Sequence, residues 1–302
     1  MEVKLGSYLK FRSHYEFIFE KQISTRFIVQ MMTTDIGKKI RLSRILNSKT
    51  KRMIVIPMDH GLTVGPLRGI NDFHNMVEMV VDGGANAVLG HSALFLHTKY
   101  DGDKNFGRIL HLSGNSDLSP NIYSKVLVSS VTDAVKLGAD AVSVHINIGN
   151  EDDSLMLEDL GEIAQDCREW SMPLLAMMYP RGENITGEFS VENVRKVARI
   201  GAELGADIVK TNYTGSIDSF KEVVDGCPVP LIIAGGTERN LMELLQFTSD
   251  CIEAGGAGVS FGRNIFQSRD PIALTHAISL IVHQSFSISE AVSEAQLKIE
   301  GK

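Results

Sequence analysis

Short apolar runs recur along the chain, each followed by a polar loop and then by a stretch with helical spacing. The runs are Met53–Met58, Ala85–Leu89, Ile109–Leu112, Ala141–Ile148, Pro173–Tyr179, Asp207–Asn212, Pro230–Ala234 and Gly258–Phe261. They are mostly continuous rather than alternating, which predicts strands covered on both faces. Between them, Leu157, Leu160, Ile163, Ala164, Cys167 and Trp170 form one apolar stripe, and Val194, Val197, Ala198, Gly201 and Leu204 another. Stripes of that period predict helices laid on a sheet. Gly205 is placed to end the second helix, because glycine tolerates the left-handed cap.

A weak internal repeat orders these units. "GANAV" (Gly84–Val88), "GADAV" (Gly138–Val142), "GADIV" (Gly205–Val209) and "GAGV" (Gly256–Val259) each join a helix end to a run, with starts 54, 67 and 51 residues apart. One β-α unit takes about 30 residues, so the repeat opens every second strand. That periodicity predicts an α/β protein built as a closed (β/α)8 TIM barrel rather than an open doubly wound sheet. No Pro- or Ser-rich linker splits the chain. Residues 36–302 are therefore expected to be a single barrel domain with a C-terminal helix. Residues 1–35 are expected to be an extension, helical or disordered, with Met31 or Met32 as an alternative natural start.

Composition narrows the classes. The 302 residues, 43% hydrophobic and 22% charged, can bury one large core. A net charge of -7 without a basic tail gives nucleic acid no electrostatic footprint. No apolar run approaches the roughly 20 residues that cross a bilayer, and the N-terminus has no uninterrupted apolar region of a secretory signal. Glu2, Glu16 and Glu20 argue against a transit peptide. Cys167, Cys227 and Cys251 show no CxxC spacing and read as reduced, structural thiols of a cytoplasmic protein.

In such a barrel the chemistry lies at the C-terminal strand ends. Strand one ends in "PMDHG", with Asp59; strand five in "MMYPRG", with Tyr179 and Arg181; strand seven in "AGG", with Gly235 and Gly236; strand eight in "FGRN", with Gly262 and Arg263. Glycines after strands seven and eight let backbone N–H groups approach an anion, and Arg263 adds a partner for phosphate oxygens. In "GADIVKTNYTG", Lys210 stands where the apolar run of strand six should continue. A lone lysine there would read as snorkelling or salt-bridged at the rim. This one shares a mouth with a carboxylate, a phenol and a phosphate cradle. Apolar walls and a neighbouring Arg181 or Arg263 should lower its pKa, and the neutral amine can form a Schiff base with a carbonyl.

At "IPMDHG", "MMYPRG", "ADIVKTNYTG", "AGG" and "FGRNIFQ" the chain resembles the archaeal-type class I aldolase family, over about residues 36 to 285, with the motifs in the family's order. The resemblance implies Lys210 as the Schiff-base lysine, Tyr179 as proton donor and Asp59 as proton acceptor. It implies substrate contacts from His60, Gly61, Leu62, Thr63, Pro180 and Arg181, and phosphate contacts from Gly235, Gly236, Gly262 and Arg263. It calls for no cofactor and no metal, and implies a homo-oligomer of five or ten subunits. The fructose-bisphosphate aldolases of the family typically carry tryptophan two residues before the tyrosine, where this chain has Met177. After strand three, "HLSGNS" lacks the lysine of their second phosphate contact, so one anion site is expected. Both departures point to the transaldolase-like branch, although Thr237 replaces the proline usual there after the glycines. The implied reaction transfers a fragment of a ketose phosphate, 6-deoxy-5-ketofructose 1-phosphate, to L-aspartate semialdehyde, toward 3-dehydroquinate and aromatic amino acids. The alternatives are a fructose-1,6-bisphosphate aldolase and a related enzyme using dihydroxyacetone phosphate for aminohydroxybenzoate. His60, His91, His111 and His145 also fall near strand ends and could serve a metal-dependent aldolase. They show no HxH or HxxxH spacing, so packing and hydrogen-bonding roles are expected, with His60 beside Asp59 the one to touch substrate. A sensor that binds phosphometabolites without turnover would have no need of Asp59, Tyr179 and Lys210 together.

Overall fold

Eight parallel strands close on one another in the computed structural model, which describes residues 36–99 and 105–297. They are β1 (Met53–Pro57), β2 (Ala87–Gly90), β3 (Gly107–His111), β4 (Ala141–Ile148), β5 (Leu174–Pro180), β6 (Ile208–Thr211), β7 (Leu231–Ala234) and β8 (Gly258–Ser260). Sequence neighbours pair throughout, and β8 returns to β1 with Met53 opposite Gly258. Each apolar run thus becomes a strand of the barrel, with ends shifted by one or two residues. The chain divides into two compact units, Met1–Ile40 and Arg41–Lys302, and the barrel lies in the second. Of the first, only the opening of helix Ile36–Ile45 is described. The expectations for residues 1–35, including a start at Met31 or Met32, fall outside the described residues.

Helices occupy the connections because the sequence starts them cleanly. Ser190, Ser130, Asp72 and Asp270 each accept a hydrogen bond from the backbone N–H three residues on. Asn240 with Glu243 and Ser287 with Glu290 form full capping boxes. Helix Val191–Glu203 buries Val194, Val197, Ala198 and Gly201 as its stripe predicts, and Gly205 follows at φ +100°. The other stripe needs one correction. In helix Asp153–Glu169, Leu160, Ile163, Ala164 and Cys167 are buried together with Met156, but Trp170 sits past the last turn and is 44% exposed. A helical period carried one residue beyond the C-cap loses its face. The C-terminal helix of the described residues is Ile288–Glu294.

Alternation along the strands separates two cores. Val55, Leu89, Ile109, Ala141, Leu175, Ile208 and Ile232 fill the barrel, while Ile54, Val88, Leu110, Val142, Val209 and Ile233 face the helices. Ile45, fully buried, joins the inner set and stops the lower end, so the interior is reached from the strands' C-terminal ends. The seam between β8 and β1 depends on Gly258, at φ +135°, where a Cβ would lie 1.8 Å from the Met53 carbonyl oxygen. Cys167, Cys227 and Cys251 are free and buried. No helix of the described residues is long and apolar enough to cross a membrane.

Candidate active site

The same alternation that turns Ile208 inward and Val209 outward turns Lys210 inward again, one step nearer the mouth. Lys210 is 6% exposed and pairs across the ladder with Met177, so Tyr179, two residues further along β5, lies on the same inner face one layer above. Both border a cavity of about 330 Å³. Its wall also takes Asp59, His60, Leu62, Thr63, Arg181, Gly235, Gly236, Gly262 and Arg263. The structure therefore gathers nearly all the residues singled out in the sequence. Two stay off the wall. Pro180 is buried on the opposite side of β5, as the residue after Tyr179 must be, and Gly61 points to solvent in the short helix His60–Val64.

Burial presses the Lys210 amine down to about 8, Asp59 opposing and Arg181 adding to the shift. Burial alone would raise the Asp59 carboxyl, but His111, His60, Lys210 and His91 outweigh it and hold it below the usual carboxylate range. At neutral pH His111 is itself uncharged, since burial takes it down to about 4. Lys210, lowered to about 8, is still mostly charged there and is one of the groups that favour the Asp59 carboxylate. Burial raises the Tyr179 phenol, with Arg181 working against it, so the phenol keeps its proton.

The histidines hold these groups in place. His111 Nε2 is 3.8 Å from the Asp59 carboxylate, and its Nδ1 meets Ser143 Oγ at 2.8 Å. His60 Nδ1 lies 3.5 Å from the other Asp59 oxygen, with its ring edge-on to Phe266. His91 donates from Nδ1 to the His111 carbonyl at 3.1 Å. The His145 ring lies 5.0 Å from that of Tyr179, tilted by 56°, and its Nε2 is 3.0 Å from Asn147 Oδ1. The Asn147 amide nitrogen donates to Tyr123, so its oxygen accepts and His145 carries its proton on Nε2. Burial lowers His145 well below its ordinary value, leaving it neutral.

The loops after β7 and β8 are tied together. Asn264 donates to the Thr237 carbonyl at 3.2 Å and accepts from the Arg239 N–H at 2.9 Å. Gly262 lets the β8 loop close on the β1 loop: a Cβ there would come within 2.5 Å of the His60 ring and 2.9 Å of the Pro57 carbonyl. Arg263 is exposed at the start of the turn Arg263–Phe266 and borders the cavity.

Sequence reasoning missed Ser113, Asn115, Lys125, Ser260 and Asn264, which also line the wall. Lys125 adds a cation on the β3 side, where the sequence showed no lysine directly behind the strand. It arrives 14 residues after the end of β3 rather than directly behind it. The signal was the length of the β3 loop, since connections longer than about 12–15 residues are usually functional.

Comparison with known proteins places the chain among aldolases of the same fold. The model of the DeoC/LacD family aldolases matches residues 53–268. Over 257 residues the chain is 41% identical to 2-amino-3,7-dideoxy-D-threo-hept-6-ulosonate synthase 1 of Archaeoglobus fulgidus, covering 85% of this chain and 95% of that protein. It is 34% identical over 250 residues to 2-amino-4,5-dihydroxy-6-oxo-7-(phosphonooxy)heptanoate synthase of Streptomyces griseus, covering 82% and 91%. Among solved structures, a Schiff-base-forming fructose-1,6-bisphosphate aldolase superposes with a TM-score of 0.76 at 30% identity, covering 82% of this chain and all of that one.

Proposed function

This chain belongs to the DeoC/LacD family of aldolases, and from that premise we propose that it is a class I, Schiff-base transaldolase acting on a ketose phosphate. The observation that carries the reading is the placement of Lys210: an amine on the inner face of β6, lowered to about 8, sharing one cavity with Asp59 and Tyr179. Its neutral form adds to the keto carbon. The hydroxyl so formed leaves as water after taking a proton, for which the un-ionised Tyr179 is the available donor. The iminium then draws in the electrons of the neighbouring C–C bond, while the hydroxyl beyond it gives up its proton to Asp59 and becomes a carbonyl. The enamine left on Lys210 adds to an incoming aldehyde, whose oxygen takes a proton, and hydrolysis frees the amine. Backbone N–H groups at Gly235, Gly236 and Gly262, with Arg263, hold the donor phosphate.

The finer reading, transfer from 6-deoxy-5-ketofructose 1-phosphate to L-aspartate semialdehyde, is supported by the name of the Archaeoglobus relative and by Met177 on the cavity wall. A second reading, cleavage of fructose 1,6-bisphosphate, is favoured by the likeness to the solved aldolase and by the second cation, Lys125. Borohydride reduction with each donor, including dihydroxyacetone phosphate, followed by mass spectrometry, tests both. The expected result is a fragment fixed on Lys210 whose mass identifies the donor half, with turnover that requires L-aspartate semialdehyde. Absence of any adduct on Lys210 would remove the mechanism. Release of triose phosphates from fructose 1,6-bisphosphate without an added acceptor would favour the second reading.

A further inference from the structure

The long loop after β3 is a braced arm. Ser113–Gly114 pairs antiparallel with Val126–Leu127, and the Val128 N–H donates to the Leu112 carbonyl at 2.7 Å. The Asn115 amide donates to the carbonyls of Asn121 and Ser124. Asn147, buried on β4, donates to the Tyr123 carbonyl at 2.7 Å. Lys125 sits between these ties, half-buried, and its side chain borders the cavity.

The fold itself makes little use of that ammonium. Its hydrogen bond to the Ile122 carbonyl is long, at 3.5 Å, and no carboxylate of the described residues pairs with it. Arg181, on the same side of the mouth, is already engaged: its Nε pairs with Glu188 and its guanidinium lies 4.2 Å over the Tyr179 ring. Burial and Arg181 both push the Lys125 amine below its ordinary value, with only Asp59 helping to keep it charged. An ordered cation held in a cavity without a counter-charge is a built site for an anion.

The position of that site separates it from the phosphate cradle. Gly235 and Arg263 follow β7 and β8. Lys125 and Arg181 follow β3 and β5, across the closed strand order, with Lys210 on β6 between the two groups. A transaldolase reaction with a phosphorylated donor and an amino-acid aldehyde needs two anion grips, because two anions in one cradle would repel each other. With Arg181 and Glu188 cancelling, the β3–β5 side offers one net positive charge. That matches a carboxylate monoanion, whereas a phosphate dianion would leave excess negative charge facing Asp59. We propose that Lys125 binds the carboxylate of the acceptor aldehyde and selects acidic acceptors over neutral ones. The proposal rests on the Schiff-base transaldolase reading above.

The test compares the parent enzyme with Lys125→Met and Lys125→Arg. In Lys125→Met the KM for L-aspartate semialdehyde should rise about 10- to 100-fold, the effect of losing one charge-assisted hydrogen bond. The preference for succinic semialdehyde over butanal should fall by a similar factor, and Lys125→Arg should restore part of it. Borohydride trapping of the donor on Lys210 in each variant checks that the site is folded. A KM for L-aspartate semialdehyde within about twofold of the parent value would overturn the proposal. So would a loss confined to glyceraldehyde 3-phosphate as acceptor, which would make Lys125 a phosphate grip. Failure of trapping in the parent would sink the function reading instead. In that event calorimetry with succinate decides the role of Lys125, equal Kd values in parent and Lys125→Met counting against it.

Discussion

An amine on the inner face of β6 costs the fold stability at neutral pH. The unfolded chain binds that proton at the ordinary value of 10.5, the folded one at about 8. Below about pH 8 the full penalty is present, on the order of 3 kcal/mol. Between about pH 8 and 10.5 the folded state has released its proton and the penalty is progressively relieved, so this contribution to stability rises with pH. Lys210→Met should therefore raise the urea midpoint at pH 7 by an amount equivalent to about 1–3 kcal/mol, Asp59 losing its cation in exchange, while forming no borohydride adduct. A lower midpoint would show that the amine is not paying a burial cost. The same group shapes the rate profile. Tyr179 and Asp59 are held outside the working range in opposite directions, so kcat/KM should rise with pH along one limb with an apparent pKa near 8. Tyr179→Phe should still form imine but turn over roughly 10²–10⁴-fold more slowly. Normal turnover would place the proton donor elsewhere. Asp59, Tyr179 and Lys210 were legible in the sequence because a polar residue interrupting a buried run at a strand end has few structural uses. Lys125 was not, because its place is set by hydrogen bonds from Asn115 and Asn147 across a loop that no local pattern registers.

At the scale of elements, the strands were readable because they are buried on both faces and carry continuous apolar runs. Their ends were less so: β3 begins at Gly107, two residues before its apolar run, because pairing with Ala87 extends it. Trp170 misled for a related reason, since periodicity reports a face only while the helix lasts. The repeat of "GA" before alternate strands turned out to mark more than a helix end. In its last copy the strand's first residue, Gly258, permits β8 to meet β1. Gly258→Ala forces a Cβ onto the Met53 carbonyl and a side chain into a left-handed backbone. It should destabilise the protein by about 3 kcal/mol or more, read as a lowered thermal or urea midpoint. A midpoint unchanged within about 0.5 kcal/mol would mean the seam can open without penalty.

Over the whole molecule the charge is divided unevenly. The chain carries a net charge of -7, yet the mouth of the barrel is lined by Lys125, Lys210, Arg181 and Arg263. A cationic funnel in an acidic body raises the local concentration of anions, which on the proposed function include the donor phosphate. Screening should weaken it, so kcat/KM for the donor phosphate should fall several-fold as NaCl is raised from about 20 to about 200 mM, where the Debye length shrinks to under 10 Å. A flat salt profile would confine the cations to contact binding. Homo-oligomer formation, expected from the resemblance, is checked separately by sedimentation.

The arm between Ser113 and Leu127 belongs to none of the eight staves of the cylinder. Its lysine is carried by a separate two-stranded ladder, apart from the strands that present Lys210 and Tyr179. On the proposed role of Lys125, partner choice is uncoupled from bond chemistry, and a change of co-substrate needs only a new tip on one appendage.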